Sequence, residues 1–373
     1  MAIDKNGKPL PPGIRQRSNG KYEGRVQYES DRYSVYGNTI TEVKKQMTEL
    51  RYKLEHGEFV ARNSMTFNEW YKTWLEQYKE NQVKRGTIET YNKYFNCAIK
   101  ESIGKKKLMD IRGEHIQRLY NDIAKRDFSM SAIKTVSVII SSCMKQAVKN
   151  GLISRNPAEL TTLPKGTPKK KHRVLTPEEQ AIFMDYAKDN YLYNLFALSL
   201  RTGLRSGEIR GLKFSDVDKR MNVLHIQRTL KTAPGGGFYE DTPKTTTSKR
   251  DIPITKDILA IIERQKKFYG EKVIQLDGYI FHLPDGKAIH KDRVEREIRQ
   301  ITKRINEAGV IFEGFTPHCF RHTFATRAIE NGMNPQTLKT ILGHSTLAMT
   351  MDLYSHVLPS TKMEEMEKIS KAF

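Results

Sequence analysis

Cysteine is scarce in this sequence: three residues among 373, namely Cys97, Cys143 and Cys319. Their wide spacing matches no disulfide framework and no zinc-binding pattern. The chain also lacks an apolar run long enough to cross a bilayer, and its first residues lack the hydrophobic stretch of a signal peptide. These absences exclude a disulfide-stapled secreted domain and favour the reducing cytoplasm, with no membrane partner.

Acidic side chains are few relative to basic ones. The chain has 64 Lys and Arg against 43 Asp and Glu, a formal net charge of +21, and its pI is near 9.7. A surplus of this size predicts a polyanionic partner, most simply nucleic acid. The alternative is a basic soluble protein without such a partner. Hydrophobic residues, at 38%, suffice for packed cores, and the length predicts two or three domains.

Residues 1–62 predict a small three-stranded sheet followed by one helix. Strands alternate around 14–17, 22–28 and 32–36, with a turn at Asn19-Gly20. The helix carries one apolar stripe: Val43, Met47, Leu50 and Leu54. Four basic residues fall on exposed positions of the sheet: Arg15, Arg17, Lys21 and Arg25. A basic three-stranded sheet can bind in a DNA groove, although such charges can also serve only to keep a small sheet soluble.

Residues 63–160 predict an all-helical bundle, because apolar residues recur every three or four positions. The aromatic stripe of Trp70, Trp74 and Tyr78 favours a core over a base-stacking platform. Residues 161–173 predict a basic linker with two prolines and a glycine. Its candidates for contact with a DNA backbone are Lys169, Lys170, Lys171 and Arg173. The alternative is a solvated tether whose charges only keep it extended.

Residues 174–373 predict a mostly helical domain with a small sheet, so the expected fold class is multidomain α+β. Strand-like segments at 222–226 and 251–254 flank a Gly-, Lys- and Thr-rich segment. The stretch before the second strand predicts a hairpin tip that carries Lys244. A lysine on such a tip can enter a DNA groove and protonate a leaving oxygen. Lys249 and Arg250 are predicted to contact DNA phosphates.

Two short motifs supply arginines. In the segment 202–208, Gly203 permits a tight turn before a helix near Ser206, so Arg205 projects from the helix start and Glu208 can pair with an arginine. In Thr316-Pro317-His318-Cys319-Phe320-Arg321-His322, the first two residues predict a helix start that places His318 and Arg321 on one face. Two histidines four apart also suggest a metal helix. Cys319 stands where zinc proteases have Glu, so we expect no metal.

A third motif supplies a histidine and a tyrosine. Asn334 and Pro335 begin a predicted helix that ends at Gly343, which places His344 in a tight turn, and Tyr354 follows ten residues later. A tyrosine oxygen can attack a phosphodiester when guanidinium groups neutralise the phosphate's non-bridging oxygens. The three motifs together predict that chemistry without a metal.

In this order and spacing, the motifs resemble the tyrosine recombinase (phage integrase) family, and the resemblance spans the chain. It implies an arm-type DNA-binding domain in 1–62, a core-binding helical domain in 63–160, and a catalytic domain with a C-terminal tail in 174–373. It implies no cofactor and a supporting role for Glu208. The family's catalytic residues fall on Arg205, Lys244, His318, Arg321, His344 and Tyr354.

The resemblance implies an integrase that cuts and rejoins double-stranded DNA through a 3′-phosphotyrosine, for integration and excision of a phage or conjugative transposon in a bacterial host. It further implies a homotetramer on core and arm sites, with an excisionase and a DNA-bending protein as further partners. One alternative is a type IB topoisomerase that relaxes DNA by similar chemistry. Another is a non-catalytic DNA-binding regulator, whose expected signature is loss of the tyrosine or of an arginine.

Overall fold

The chain divides into two compact units, Met1–Lys169 and Lys170–Phe373. The computed structural model describes residues 3–5, 7–56, 64–165, 173–233, 236–241, 249–268 and 278–354, together with 366, 369 and 370 of the tail. The boundary between the units falls inside the basic segment 161–173. Among the described helices, none combines the length and apolar character needed to cross a membrane.

The first unit begins with an antiparallel sheet and one helix. Its elements are β1 (Ile14–Gln16), β2 (Tyr22–Tyr28), β3 (Asp31–Gly37) and α1 (Ile40–Glu55), with strand order β1-β2-β3. The Thr39 side chain caps α1 by accepting from the Glu42 N–H. The predicted apolar stripe of α1 is confirmed, since Val43, Met47, Leu50 and Leu54 are all buried.

Gly24 sets the distance between β2 and α1. A Cβ placed at Gly24 would lie 2.5 Å from Cγ1 of Val43 and 2.6 Å from Sδ of Met47. No side chain fits at that distance, so the glycine allows the helix to pack directly on the strand.

The rest of the first unit is helical, as the sequence predicts. Its helices are α2 (Phe67–Trp74), α3 (Arg85–Tyr94), α4 (Gly113–Lys125) and α5 (Met130–Lys149). The first two continue as π-helical segments, Leu75–Lys79 and Phe95–Gly104, and short 3₁₀ turns follow at Leu108–Asp110 and Pro157–Leu160. Trp70 and Trp74 are almost fully buried, and Trp70 Nε1 donates to the Cys143 carbonyl at 3.0 Å. These two tryptophans therefore form core, which confirms that interpretation over a stacking platform.

The second unit is mostly helical with two small sheets. Its helices are α6 (Pro177–Tyr186), α7 (Tyr193–Thr202), α8 (Ser206–Arg210), α9 (Lys256–Phe268), α10 (Lys291–Glu307), α11 (His318–Glu330), α12 (Pro335–Leu342) and α13 (Leu347–Tyr354). Its strands are β4 (Val217–Asp218), β5 (Val223–Ile226), β6 (Thr229–Thr232), β7 (Phe238–Asp241) and β8 (Arg250–Pro253). They form an antiparallel sheet of order β4-β5-β8 and a β6-β7 hairpin.

Aromatic packing brings the functional helices of the second unit together. Phe183, Phe196 and Phe320 lie in one buried cluster, so α11 packs against α6 and α7. Gly203 ends α7 in the left-handed conformation, with φ of 60°. A Cβ there would lie 2.4 Å from Cδ1 of Phe324, so only glycine permits this turn and this contact.

We predict that Gly24→Ala destabilises the β-sheet portion of the first unit by about 1–3 kcal/mol, because the added methyl overpacks the α1 interface. Native-state hydrogen exchange of the β2 and α1 amides measures the effect. Gln27→Ala, on an exposed position of the same strand, is the control and should change exchange little. Equal protection in the two variants would contradict the close-packing account.

Candidate active site

A single buried carboxylate holds two arginines from distant parts of the second unit. Arg205 immediately precedes α8, and both its backbone N–H and its Nη1 donate to the Glu208 carboxylate at 2.9 Å. Arg250, the first residue of β8, donates to the same carboxylate through Nη1 at 3.1 Å and Nη2 at 2.9 Å. The Glu208 side chain is only 2% exposed. Glu208 therefore fixes the start of α8 against the start of β8.

Three guanidinium groups also converge on the C-terminal end of α12. Arg250 Nε donates to the Ile341 carbonyl at 2.5 Å and Arg321 Nη2 to the Leu342 carbonyl at 2.7 Å. Arg205 Nη2 donates to the Gly343 carbonyl at 3.1 Å. The last carbonyls of a helix have no partner within the helix and carry its negative dipole end, so they attract cations.

Arg321 joins this helix end to the end of α7. Its Nη1 donates to the Gly203 carbonyl at 2.8 Å, and the residue is 4% exposed. Two of the five guanidinium donors are used on the two carbonyls, which leaves three donors for another oxygen acceptor. The two left-handed turns at Gly203 and Gly343 thus orient the carbonyls that fix Arg321.

Electrostatics within the cluster favour bound anions. Burial raises the pKa of Glu208, but hydrogen bonds and charge from Arg250 and Arg205 outweigh burial and hold that pKa below its usual value. Burial, together with the charge of Arg205, lowers the pKa of Arg321 to about 9, which still leaves it protonated at neutral pH. Three guanidinium cations therefore face one carboxylate, and the surplus positive charge suits a phosphate.

His344 follows the α12 turn directly and is buried, with 7% of its surface exposed. Its Nδ1 lies 2.9 Å from Oγ1 of Thr350, on α13. Burial lowers the pKa of His344 to about 4, and the charge of Arg321 acts in the same direction. The imidazole is therefore neutral at neutral pH, next to the arginine cluster.

His318 begins α11, three residues before Arg321, as predicted, and is exposed. Its ring meets the His322 ring edge-to-face, with centroids 4.5 Å apart. The predicted cap differs slightly: Pro317 occupies the cap position in a helical conformation, and the Thr316 carbonyl, instead of its side chain, accepts from Cys319 N–H.

Tyr354 is the last residue of α13, and its side chain lies outside the described part of the structure. Lys244, Lys169, Lys170 and Lys171 also lie outside the described residues. Within the described ranges, no group of three or more His, Cys, Asp or Glu side chains is placed to hold a metal ion. The structure thus brings together Arg205, Arg321 and His344. The Glu208 carboxylate lies among them and binds both Arg205 and Arg250.

The structure corrects one predicted DNA contact and shows that another is already paired. The sequence predicts that Arg250 binds phosphate, but its side chain is 3% exposed and it donates to Glu208 and to the Ile341 carbonyl. Arg173 is bound between two carboxylates, with 2.9 Å contacts to both Glu179 and Glu313, so its charge is already matched inside the unit. Lys249, by contrast, is exposed. The sequence cannot separate Lys249 from Arg250, because only the β8 register assigns one to solvent and the other to the core.

The predicted basic residues of the N-terminal sheet are exposed, and they surround a second buried carboxylate that sequence reasoning missed. Glu23 has a 4% exposed side chain and contacts Arg15 at 2.7 Å, Arg25 at 3.1 Å and Arg17 at 3.7 Å. Burial raises the pKa of Glu23, but hydrogen bonds from Arg15 and Arg25 outweigh it, so the pKa is lowered. The three arginine side chains remain about half exposed, and Lys21 is exposed beside them.

We predict that Arg250→Met lowers the stability of the second unit by about 3–5 kcal/mol, because it leaves Glu208 buried with one partner fewer. Denaturant unfolding measures the change. The matched control is the neighbouring exposed residue: Lys249→Met should stay within about 0.5 kcal/mol of the parent. Adding Glu208→Gln to Arg250→Met should recover part of the loss. Similar stability of the two single variants would contradict the assignment of Arg250 to the core.

Two models of phage integrase domains match parts of this chain. Residues 173–361 match the phage integrase family, and residues 66–124 match the N-terminal SAM-like domain of phage integrase. A tyrosine recombinase XerC-like protein of Caldanaerobacter subterraneus subsp. tengcongensis is 29% identical over 366 residues, covering 92% of each chain. The transposase from transposon Tn916 of Enterococcus faecalis is 24% identical and covers 99% of this chain and 96% of that one.

Among solved structures, the Tn1549 transposon integrase in complex with transposon right end DNA superposes with a TM-score of 0.71. The alignment covers 82% of this chain and 100% of the Tn1549 integrase chain at 23% identity, so it shows a shared fold. The family match over 173–361 spans more than half of the chain and contains the whole arginine cluster. This chain therefore belongs to the phage integrase family and is a tyrosine recombinase, an enzyme that breaks and rejoins DNA.

Proposed function

We propose that this recombinase integrates and excises a mobile DNA element, with Tyr354 as its nucleophile. The tyrosine oxygen bonds to the scissile phosphorus and loses its proton, while the bond from phosphorus to the 5′ oxygen breaks and that oxygen gains a proton. The product is a 3′-phosphotyrosine and a 5′ hydroxyl. The covalent intermediate retains the energy of the phosphodiester bond, so rejoining needs no ATP.

The observation that carries this proposal is the placement of Arg205 and Arg321. Helix-end carbonyls hold both arginines before any substrate arrives, and Glu208 also holds Arg205. Both arginines retain N–H donors beyond those contacts. Preorganised donors stabilise the charge of a pentacoordinate phosphorus without reorganisation during the reaction. Two guanidinium forks clamping the non-bridging oxygens account for catalysis without a metal.

The remaining roles follow from chemistry and position. His344, held neutral beside the arginines, donates a hydrogen bond to the phosphate. His318, on the same helix as Arg321, accepts or relays the tyrosine proton. Lys244 belongs to the segment between β7 and β8 and protonates the leaving 5′ oxygen. Glu208 positions the arginines and makes no contact with substrate.

The substrate we propose is double-stranded DNA, recognised at two kinds of site. Residues 63–160 and 174–373 bind the core site around the cut, and residues 1–62 bind an arm site through the basic sheet. Exchange between two duplexes breaks four strands, and each protomer has one Tyr354, so the working assembly is a homotetramer. One protomer carries both the core-binding and the arm-binding contacts, so it can bind a core site and an arm site at once when the DNA between them is bent. We therefore propose a DNA-bending protein and an excisionase as further partners.

We predict that Tyr354→Phe abolishes covalent protein–DNA adducts and leaves DNA binding within about twofold, since only the attacking oxygen is removed. A suicide core-site substrate followed by denaturing electrophoresis detects the adduct, and a gel-shift assay measures binding. The control is Tyr36→Phe, an exposed sheet residue, which should form adducts normally. Adducts from the Tyr354→Phe protein would show that another residue is the nucleophile.

We predict that removing residues 1–62 leaves cleavage of short core-site substrates largely intact but abolishes binding to arm DNA. Two linked phosphate-dominated contacts gain from effective concentration, so recombination of full attachment sites should fall strongly. The matched test is a full-length variant that combines Arg15→Ala, Arg17→Ala and Arg25→Ala with Glu23→Gln. The three arginines are about half exposed, and the glutamine avoids leaving an unpaired buried carboxylate in the sheet. Arm binding that survives in both proteins would contradict the arm-binding role.

A further inference from the structure

We propose that Thr350 is a positioning residue for DNA cleavage, because its hydroxyl donates to Nδ1 of His344 and thereby presents the Nε2–H of that ring to the scissile phosphate. This inference deepens the proposed function and rests on it for the role of His344. The contact lies between two different elements, the turn after α12 and the helix α13.

The geometry around this contact is closed. Thr350 is fully buried at 0% exposure and His344 at 7%, and Oγ1 and Nδ1 are 2.9 Å apart. The His344 backbone N–H donates to the Lys339 carbonyl at 3.1 Å, so the main chain of the turn is also fixed. The ring can therefore turn only by breaking a buried hydrogen bond.

The direction of the hydrogen bond between Thr350 and His344 follows from the need of the buried Thr350 hydroxyl for an acceptor. Among the described contacts, His344 is the partner of Thr350 Oγ1. A buried O–H donor without an acceptor is costlier than an acceptor that lacks one donor. In a neutral imidazole one nitrogen carries the proton and the other accepts. The hydroxyl therefore donates to Nδ1, and the proton of His344 lies on Nε2.

The surroundings keep the ring neutral. Among the described residues, the charges that lower the pKa of His344 come from Arg321 and His318 on α11, Arg205 before α8, and Arg250 on β8. Glu208 is the carboxylate among them, and it is already bound to Arg205 and Arg250. A second proton on the imidazole would meet these cations, so His344 acts as a fixed neutral donor and not as an acid.

The same contact links His344 to the nucleophile's helix. Thr350 precedes Tyr354 by four residues, about one helical turn. The hydrogen bond therefore anchors the helix that ends at Tyr354 against the turn that carries the phosphate-binding histidine. One hydroxyl thus orients the ring and restrains α13 beside the cluster.

A double-mutant cycle tests whether Thr350 acts through His344. We expect Thr350→Val to slow adduct formation on a suicide substrate about 10-fold, and Thr350→Ser, which keeps the hydroxyl, to stay within about twofold of the parent. In a His344→Gln background, adding Thr350→Val should cost less than about twofold. Equal losses in both backgrounds, or failure of Thr350→Ser to retain activity, would overturn the proposal.

A measurement on the full-length protein without DNA tests the tautomer directly. In protein carrying ¹⁵N-labelled histidine, the His344 signals are identified by their loss in His344→Gln. We expect shifts of a neutral Nε2–H tautomer in the parent and in Thr350→Ser, and a mixture of tautomers in Thr350→Val. An Nδ1–H tautomer in the parent would refute the inference, even if Thr350→Val fails to fold. Because this readout needs no cleavage, its failure is distinct from failure of Tyr354→Phe to abolish adducts.

Discussion

The second unit depends on one buried interaction: the Glu208 carboxylate held between Arg205 and Arg250. Three guanidinium groups around the end of α12 would repel one another strongly in a buried site. The carboxylate reduces that repulsion, and hydrogen bonds from both arginines outweigh the effect of burial on its pKa. Removing Arg250 leaves the buried Glu208 with Arg205 as its remaining arginine partner, and removing Glu208 leaves the Arg250 guanidinium buried without a carboxylate. Either change is costly because it leaves buried charge less well compensated.

The helix-end carbonyls complete this arrangement. Ile341, Leu342 and Gly343 each accept from a different arginine, so the negative end of the α12 dipole acts as part of the site. The carbonyls fix the guanidinium groups without neutralising them, and the surplus charge stays available to a phosphate. A buried carboxylate among arginines occurs again in the N-terminal sheet, around Glu23. There the arginines remain about half exposed, as the proposed contact with arm DNA requires, whereas Arg321 and Arg250 are buried.

Local sequence signals explain why the helices and the candidate site residues could be predicted. The stripe of α1 follows helical periodicity, and Asn334, Pro335 and Gly343 bound α12 as capping rules predict. The motifs at 202–208 and 316–322 placed Arg205, Glu208, His318 and Arg321 at helix starts, since glycine and proline signals act within a few residues. The fold class and family followed from the order and spacing of these motifs.

The sequence by itself determined the helices and strands, because their signals act within about one or two turns. It also determined the basic surplus, which is a matter of composition, and the candidate catalytic residues, which follow from the order and spacing of short motifs. Only the tertiary structure decided how they are held. Arg250 meets Glu208 across 42 positions and Arg205 meets Gly343 across 138, and no local pattern encodes such pairings. The same holds for the buried Glu23 and for the Thr350 contact with His344. Packing assigns these polar groups to the interior, and a buried polar group must then find a partner wherever the fold brings one within reach.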